Sequence, residues 1–347
     1  MFISGIGIIF TRGRGIDSFE NALMQGWTDP SWTDSFPAYR VAKEVLSDAA
    51  LSKKIRRADK FSKMAVFSAL DAFKDSGITL NSNETIGIIL ATAFGPHTTT
   101  FSFIDDILDY GDAGVSPTKF SNSVHNAAAS YISTVLGSCG PTVTLTDFSY
   151  PFQNALLLAE SWLKEERCKH VLCGCVDELS VVMEYACKMK MKTAEDGKIR
   201  PFLFSDCPVS VLGEGAAFFM LSEEKCKNNY GEVSEIKLFG ESKNNPDIII
   251  IDADGMTGDE SDYEKISNTG LPLAGYSPVF GSMKIGSAFN FAAASLMLKK
   301  QHVYRCPVLD NHSQMNLCSS TSETNITGIN CVRICRSDQI SIINIKK

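Results

Sequence analysis

Long apolar runs are missing from this sequence. No stretch of about 18 or more apolar residues occurs, so no segment is expected to cross a membrane. Basic runs are missing as well. No Lys/Arg run exceeds two residues and the formal net charge is -7, which argues against nucleic acid as the main partner. The 11 cysteines include no Cys-x-x-Cys pair, and Cys173 and Cys175 lie too close together for ordinary zinc-ligand spacing. A disulfide framework is not expected in a chain of 347 residues with an odd cysteine count, so reduced thiols and a cytoplasmic location are the reading. The N-terminal stretch "MFISGIGIIFTRGRG" places its first charge, Arg12, after the apolar run, the wrong order for a signal peptide. The five histidines His97, His125, His170, His302 and His312 form no i, i+4 pair, so no metal site is expected.

What is present is ordinary globular composition, 44% hydrophobic and 21% charged, in a chain long enough for two domains or one fused double domain. Strand and helix patterns alternate. "FISGIGIIF" reads as a strand whose glycines allow close backbone approach. Apolar side chains at Phe61, Met64, Ala65, Ala69, Ala72 and Phe73 predict a helix over 58–76, closed by Gly77. "TIGIILATAFG" is apolar on both faces and predicts a central strand. "FSFIDDILDYG" predicts a helix with a strong apolar face, and "SVHNAAASYISTVLG" an alanine-rich helix suited to close packing. "PTVTLTDFSYPFQNALLLA" predicts a strand over 142–147, a corner, and a helix over 152–164. Further strands are expected in "KHVLCGCVDEL", "VLGEGAAFFMLSEE", "IIIIDADG", "NITGINCVRICR" and "ISIINI", with a buried helix in "GSMKIGSAFNFAAASLMLKK". The polar stretches "EKCKNNYGE" and "ESKNNPD" read as surface loops. The order β-α-β-α-β occurs twice, which implies two similar halves, 1–224 and 225–347. The glycines of "GRG" and "LGEGAA" lack the spacing of a nucleotide loop and are better explained by tight turns and close packing.

Several blocks fall in one order: "RRADKFSKMAVFSALDAF", "IGIILATAFG", "VSPTKFSNSVHNAAASYISTVLGSCGP", "LGEGAAFFML", "DADGMTGDESDYE" and "KIGSAFNFAAAS". Together they resemble the β-ketoacyl-acyl-carrier-protein synthases of fatty acid and polyketide assembly, across nearly the whole chain. The resemblance implies an α/β thiolase-like fold, with two βαβαβ halves in a five-layer α-β-α-β-α arrangement. It also implies chemistry by one cysteine and two histidines. The cysteine belongs at the strand-to-helix corner, where a helix N-terminus lowers its pKa and backbone N–H groups form an oxyanion hole. That position falls on Ser149. The first histidine position, in the block represented by "DGMTG", falls on Asp254. The second falls on Ser287, after Gly286; a lysine five residues before it falls on Ser282, with Lys284 nearby. A late phenylalanine gate reads "NITG".

Every reacting side chain is therefore replaced. A serine hydroxyl is a poor nucleophile without a base beside it, and an aspartate at the decarboxylation site would repel a malonyl carboxylate. General acid–base help and oxyanion stabilisation are each typically worth about 10²–10⁴ and 10²–10³ in rate. The expectation is a chain without catalytic residues, metal or cofactor, its degenerate positions being Ser149, Asp254 and Ser287. It resembles a chain length factor, the partner of an active ketosynthase in a heterodimer that receives acyl carrier protein. Phe101, Phe103, Phe148, Tyr150 and Phe152 are candidates for the acyl tunnel or interface, the alternative being plain core. The other functional readings are an acyltransferase using Ser149 and a homodimeric acyl-binding protein.

Overall fold

A computed structural model describes residues 1–33, 36–49, 51, 53–79, 85–190, 193–204, 209–240, 242, 244–256, 260–336 and 339–347. Its strands are β1 (Phe2–Phe10), β2 (Ile86–Thr92), β3 (Thr142–Thr146), β4 (His170–Asp177), β5 (Gly215–Ser222), β6 (Glu232–Lys237), β7 (Ile248–Ile251), β8 (Leu273–Ala274), β9 (Gly328–Arg336) and β10 (Gln339–Lys346). They follow the order β1-β5-β4-β2-β3 in the first half and β6-β10-β9-β7-β8 in the second. In each half the first two pairings are antiparallel and the last two parallel. The halves join along β1 and β6, through one registered pair, Phe2 with Glu232. The repeated βαβαβ pattern of the sequence is thus a repeated strand topology.

The principal helices are α1 (Ile16–Gln25), α2 (Lys60–Ser76), α3 (His97–Tyr110), α4 (Pro117–Ser123), α5 (Ala127–Leu136), α6 (Pro151–Lys164), α7 (Val181–Lys190), α8 (Glu260–Ser267), α9 (Ser277–Phe280) and α10 (Gly286–Lys300). Helix α2 starts two residues later than the expected span, because Asp59 caps it by accepting from the Ser62 N–H at 2.8 Å. Gly77 ends it in the left-handed region, as expected. The β1 glycines serve this packing: a Cβ on Gly7 would stand 1.9 Å from the Ser68 carbonyl of α2, and one on Gly5 2.1 Å from that of Ala72.

Helices α2 and α5 share a core with the outer face of the first half-sheet. Helix α6 packs on β4 and β2 and also reaches β6, while α10 packs on β9 and also reaches β1 and β5. The two lie between the half-sheets and meet through Phe152 and Phe291, ring centroids 5.1 Å apart. This is the thiolase-like layering. β2 is buried along its whole length because helices cover both its faces.

Two elements differ from the sequence reading. The stretch expected as one alanine-rich helix is helical only from Ala127, in α5; residues 124–126 separate it from α4, which the sequence reading did not place. Helix α3 forms, but none of its side chains is buried, so its apolar face is left open. As the loop reading of "ESKNNPD" expected, residues 238–247 between β6 and β7 contain no helix among those described. Glu241 and Lys243 of "ESKNNPD" and Thr257 and Gly258 of "DGMTG" lie outside the described residues.

Candidate functional site

The corner after β3 runs through Asp147, Phe148, Ser149 and Tyr150 into Pro151, the first residue of α6. Proline is tolerated there because the first helical N–H has no intrahelical partner. The Ser149 N–H donates to Asp147 Oδ1 at 2.8 Å, and the Ser149 carbonyl accepts from Arg333 Nε at 2.6 Å. The Ser149 hydroxyl has no hydrogen-bond partner among the described residues. No histidine is bonded to it.

Arg333 lies in the middle of β9, 1% exposed, and its Nη1 donates to Asp252 Oδ2. Ile251 of β7 pairs in register with Val332 of β9, which sets Asp252, just past the end of β7, next to Arg333. Asp252 also accepts from the Ser287 hydroxyl at 2.8 Å and from Asn290 Nδ2 at 3.3 Å, both on α10. Gln153 Nε2, on α6, donates to the Ser287 hydroxyl at 3.1 Å. One buried network therefore joins the corner, the starts of α6 and α10, and the second half-sheet. Burial alone would lower the Arg333 pKa, but Asp252 and Asp254 outweigh it and raise it.

Asp254 is buried. Its Oδ1 accepts from the Met256 N–H at 2.8 Å, and its carbonyl accepts from the Ser282 hydroxyl. Its Oδ2 has no hydrogen-bond partner among the described residues. Burial, reinforced by Asp252, pushes its pKa up to about 6, with Arg333 and Lys284 opposing. At pH 7 it is still mostly ionised, the wrong charge for stabilising an enolate. The three positions that the sequence resemblance assigned to a thiolate and two imidazoles, Ser149, Asp254 and Ser287, thus share one neighbourhood. There they carry a turn-capping carboxylate, a hydroxyl bonded to a carboxylate and a serine without a base.

The cavity beside them is lined by Phe94, Met183, Met256, Ser282 and Lys284 among others and has a volume of about 30 Å³. That admits water and not an acyl chain. Two buried carboxylates also line it: Asp177 accepts from Thr92 Oγ1 at 2.6 Å, and Glu178 accepts from the Thr98 N–H at 2.8 Å, fastening the start of α3.

The aromatic candidates do not form one cluster. Phe148 is 58% exposed and stands edge-on to Phe94 at 5.4 Å. Phe94 meets His97, which meets Phe101 at 5.8 Å. Phe103 contacts Phe120 of α4 instead. Tyr150 is buried against Phe239, and its hydroxyl donates to the Gln339 carbonyl. Phe152 is fully buried against Phe219 and Phe291, in the interior. A wider apolar surface flanks the exposed aromatics. It includes Ile104, Ile107 and Leu108 of α3, Phe120 of α4, and Val181 and Tyr185 of α7.

Sequence reasoning did not find Arg333, Asp252, Gln153 or Asn290. One signal was legible: an arginine inside the apolar strand "INCVRICR" demands a buried counter-charge.

Residues 40–190 match the family described as "Beta-ketoacyl synthase, N-terminal domain". A 3-oxoacyl-acyl-carrier-protein synthase 2 from Coxiella burnetii is 27% identical over 154 residues, covering 41% of this chain and 37% of that protein. The match thus spans well under half of the curated relative. Among solved structures, the ishigamide ketosynthase/chain length factor superposes with a TM-score of 0.81 at 14% identity, over 100% of this chain and 98% of that one. A β-ketoacyl synthase from Burkholderia phymatum gives 0.84 at 15% identity with the same coverage. At such identities the structural likeness shows the fold.

Proposed function

We propose that this chain is a member of the β-ketoacyl-acyl-carrier-protein synthase family and serves there as a non-catalytic subunit of the chain-length-factor kind, a reading supported by the match over residues 40–190 and by the shared fold. It pairs with an active ketosynthase in the cytoplasm and helps shape the tunnel that holds an acyl chain in fatty acid or polyketide synthesis. Residues 1–224 and 225–347 are its two halves. Acyl carrier protein meets the complex through the active partner.

The observation that carries the reading is the filled corner. Where a condensing enzyme needs a thiolate and two imidazoles, this chain has Ser149, Asp254 and Ser287, of which Ser149 and Ser287 are tied to the buried Arg333–Asp252 pair. A ligand cavity for a small molecule is typically about 300–1,000 Å³, at least ten times the cavity lined by Phe94, Met256 and Ser282. In this reading an acyl chain bordering this subunit lies at its surface, against a partner. The open faces of α3 and α7, with Phe148, supply the apolar surface such a partner covers; Leu108 alone is 77% exposed. Phe101 and Phe148 sit where that surface meets the corner and are the side chains proposed to limit chain length.

The test is coexpression with a ketosynthase bearing the intact cysteine and histidines and with its carrier protein. The expected result is a 1:1 heterodimer by light scattering, active only when both subunits are present. A homodimer with bound lipid would favour an acyl-binding role instead. One observation favours a second reading: the Ser149 hydroxyl is partly exposed and unpartnered among the described residues. If Ser149 carries acyl groups, thioester labelling gives an adduct lost in Ser149→Ala. If this chain alone elongates a carrier-bound primer with malonyl units, the proposal is wrong.

A further inference from the structure

At the end of the molecule opposite the corner, a pocket of about 310 Å³ is lined by Lys225, Lys227, Lys299 and Lys347, with Asn228 and Tyr230. No carboxylate side chain lines it. That is notable in a chain of net charge -7. Ser287 and Lys299 are twelve residues apart on α10, so the pocket lies about 18 Å from the Arg333–Asp252 network, independent of the site described above.

One of the four ammonium groups is held in place. Lys299 Nζ stands 3.7 Å over the centre of the Tyr230 ring and donates to Asn228 Oδ1 at 2.6 Å. Asn228 is itself anchored by donating to the Asp75 carbonyl at 2.7 Å. Tyr230 is buried and forms the floor. A lysine fixed this way loses little freedom when it takes a ligand. Lys225, Lys227 and Lys347 have no ion-pair partner among the described residues, whereas neighbouring Lys300 and Lys346 are paired with Glu20 and Glu232.

Opposing charges lie close by. The Asp75 carboxylate lies behind Tyr230 and accepts from the Ile6 N–H at 2.9 Å. The C-terminal end of α10 adds a partial negative charge of about one half. Glu223 and Glu224 line the adjoining cavity, not this one. Four like charges grouped around one concave space repel one another unless an anion lies among them. All four lysines are solvent-exposed, and the pocket has room for more than a single oxyanion.

We infer that this pocket binds a phosphate-bearing small molecule, with Lys225, Lys227 and Lys299 contacting the phosphoryl oxygens. The shared chemistry is a multiply charged phosphoryl group, whether free or carried on a pantetheine arm. Burial lowers the Lys299 pKa, and a bound anion would oppose that shift.

The experiment is calorimetric titration of the full chain with inorganic phosphate, pyrophosphate and phosphopantetheine, in low salt, with sodium sulfate as the control. The expected result is saturable 1:1 binding, tighter for pyrophosphate than for sulfate. Lys227→Glu and Lys299→Met should each weaken it by about tenfold or more, the loss expected for a charge-assisted hydrogen bond. Lys299→Met keeps the packing on Tyr230, and circular dichroism confirms that both variants fold. Tighter binding of phosphopantetheine than of pyrophosphate would identify the pantetheine source, and the reverse order a free phosphate compound. Absence of saturable binding for all three probes, or affinities unchanged in both variants, overturns the inference.

Discussion

Replacing Arg333 by methionine keeps most of the side-chain volume and removes the guanidinium. Asp252 then remains 2% exposed with no cation facing it, and the Ser149 carbonyl loses its donor. Breaking a buried ion pair by removing one partner typically costs about 3–5 kcal/mol. Against a total stability of about 5–15 kcal/mol that is a large fraction. With about 2.1 cal/mol/K of unfolding entropy per residue, 347 residues convert each kcal/mol into roughly 1.4 °C, so Arg333→Met should lower Tm by about 4–7 °C. Asp252→Asn should cost a similar amount, because it strands the arginine. The double variant is the decisive one. If the pair acts as a unit, its cost falls short of the sum of the single costs by about 2 kcal/mol or more, measured by urea unfolding of all four proteins in the same assembly state. Additive costs would refute the coupling. Arg333→Lys should rescue only part of the loss, since one ammonium cannot reproduce the forked reach to both the Ser149 carbonyl and Asp252.

The Asp254 acid should make stability depend on pH. Its folded pKa of about 6 lies above the ordinary 3.8, so its favourable contribution is complete below pH 4 and is lost as pH rises through 6. Asp254→Asn should therefore be more stable than the parent at pH 8, by about 1–2 kcal/mol, with the difference shrinking toward pH 5. Urea unfolding across that range checks the sign; a destabilised variant at pH 8 would contradict it. At the proposed interface, Leu108→Asp should weaken the heterodimer about tenfold or more without lowering Tm of the isolated chain, since Leu108 is 77% exposed in it. Sedimentation of the mixed subunits provides the measurement, and unchanged association would remove α3 from the interface.

Much of this architecture was legible from local pattern. The α2 stripe, the doubly apolar β2 and the corner before α6 each follow from residues close in the chain, and the structure shifts their ends by three residues at most. Ser149, Asp254 and Ser287 were singled out from block order alone, through the resemblance. Helix α3 was legible as a helix and not as an open face. Its apolar residues pattern like those of a core helix, and only the finished packing shows that Ile104, Ile107 and Leu108 stay exposed. Phe152 and Phe148 look alike four residues apart, yet one is interior and the other stands out from the corner.

By itself the sequence determined the alternation of strands and helices and which residues, Ser149, Asp254 and Ser287, stand at the positions the resemblance singles out, since both reside in residue identity and short-range spacing. The tertiary structure decided what surrounds them. Arg333 and Asp252 are 81 residues apart and meet only because β7 and β9 pair in parallel. Lys225 and Lys299 converge only because the end of α10 packs beside the link between the halves. Such encounters depend on topology and register, which no window along the chain contains.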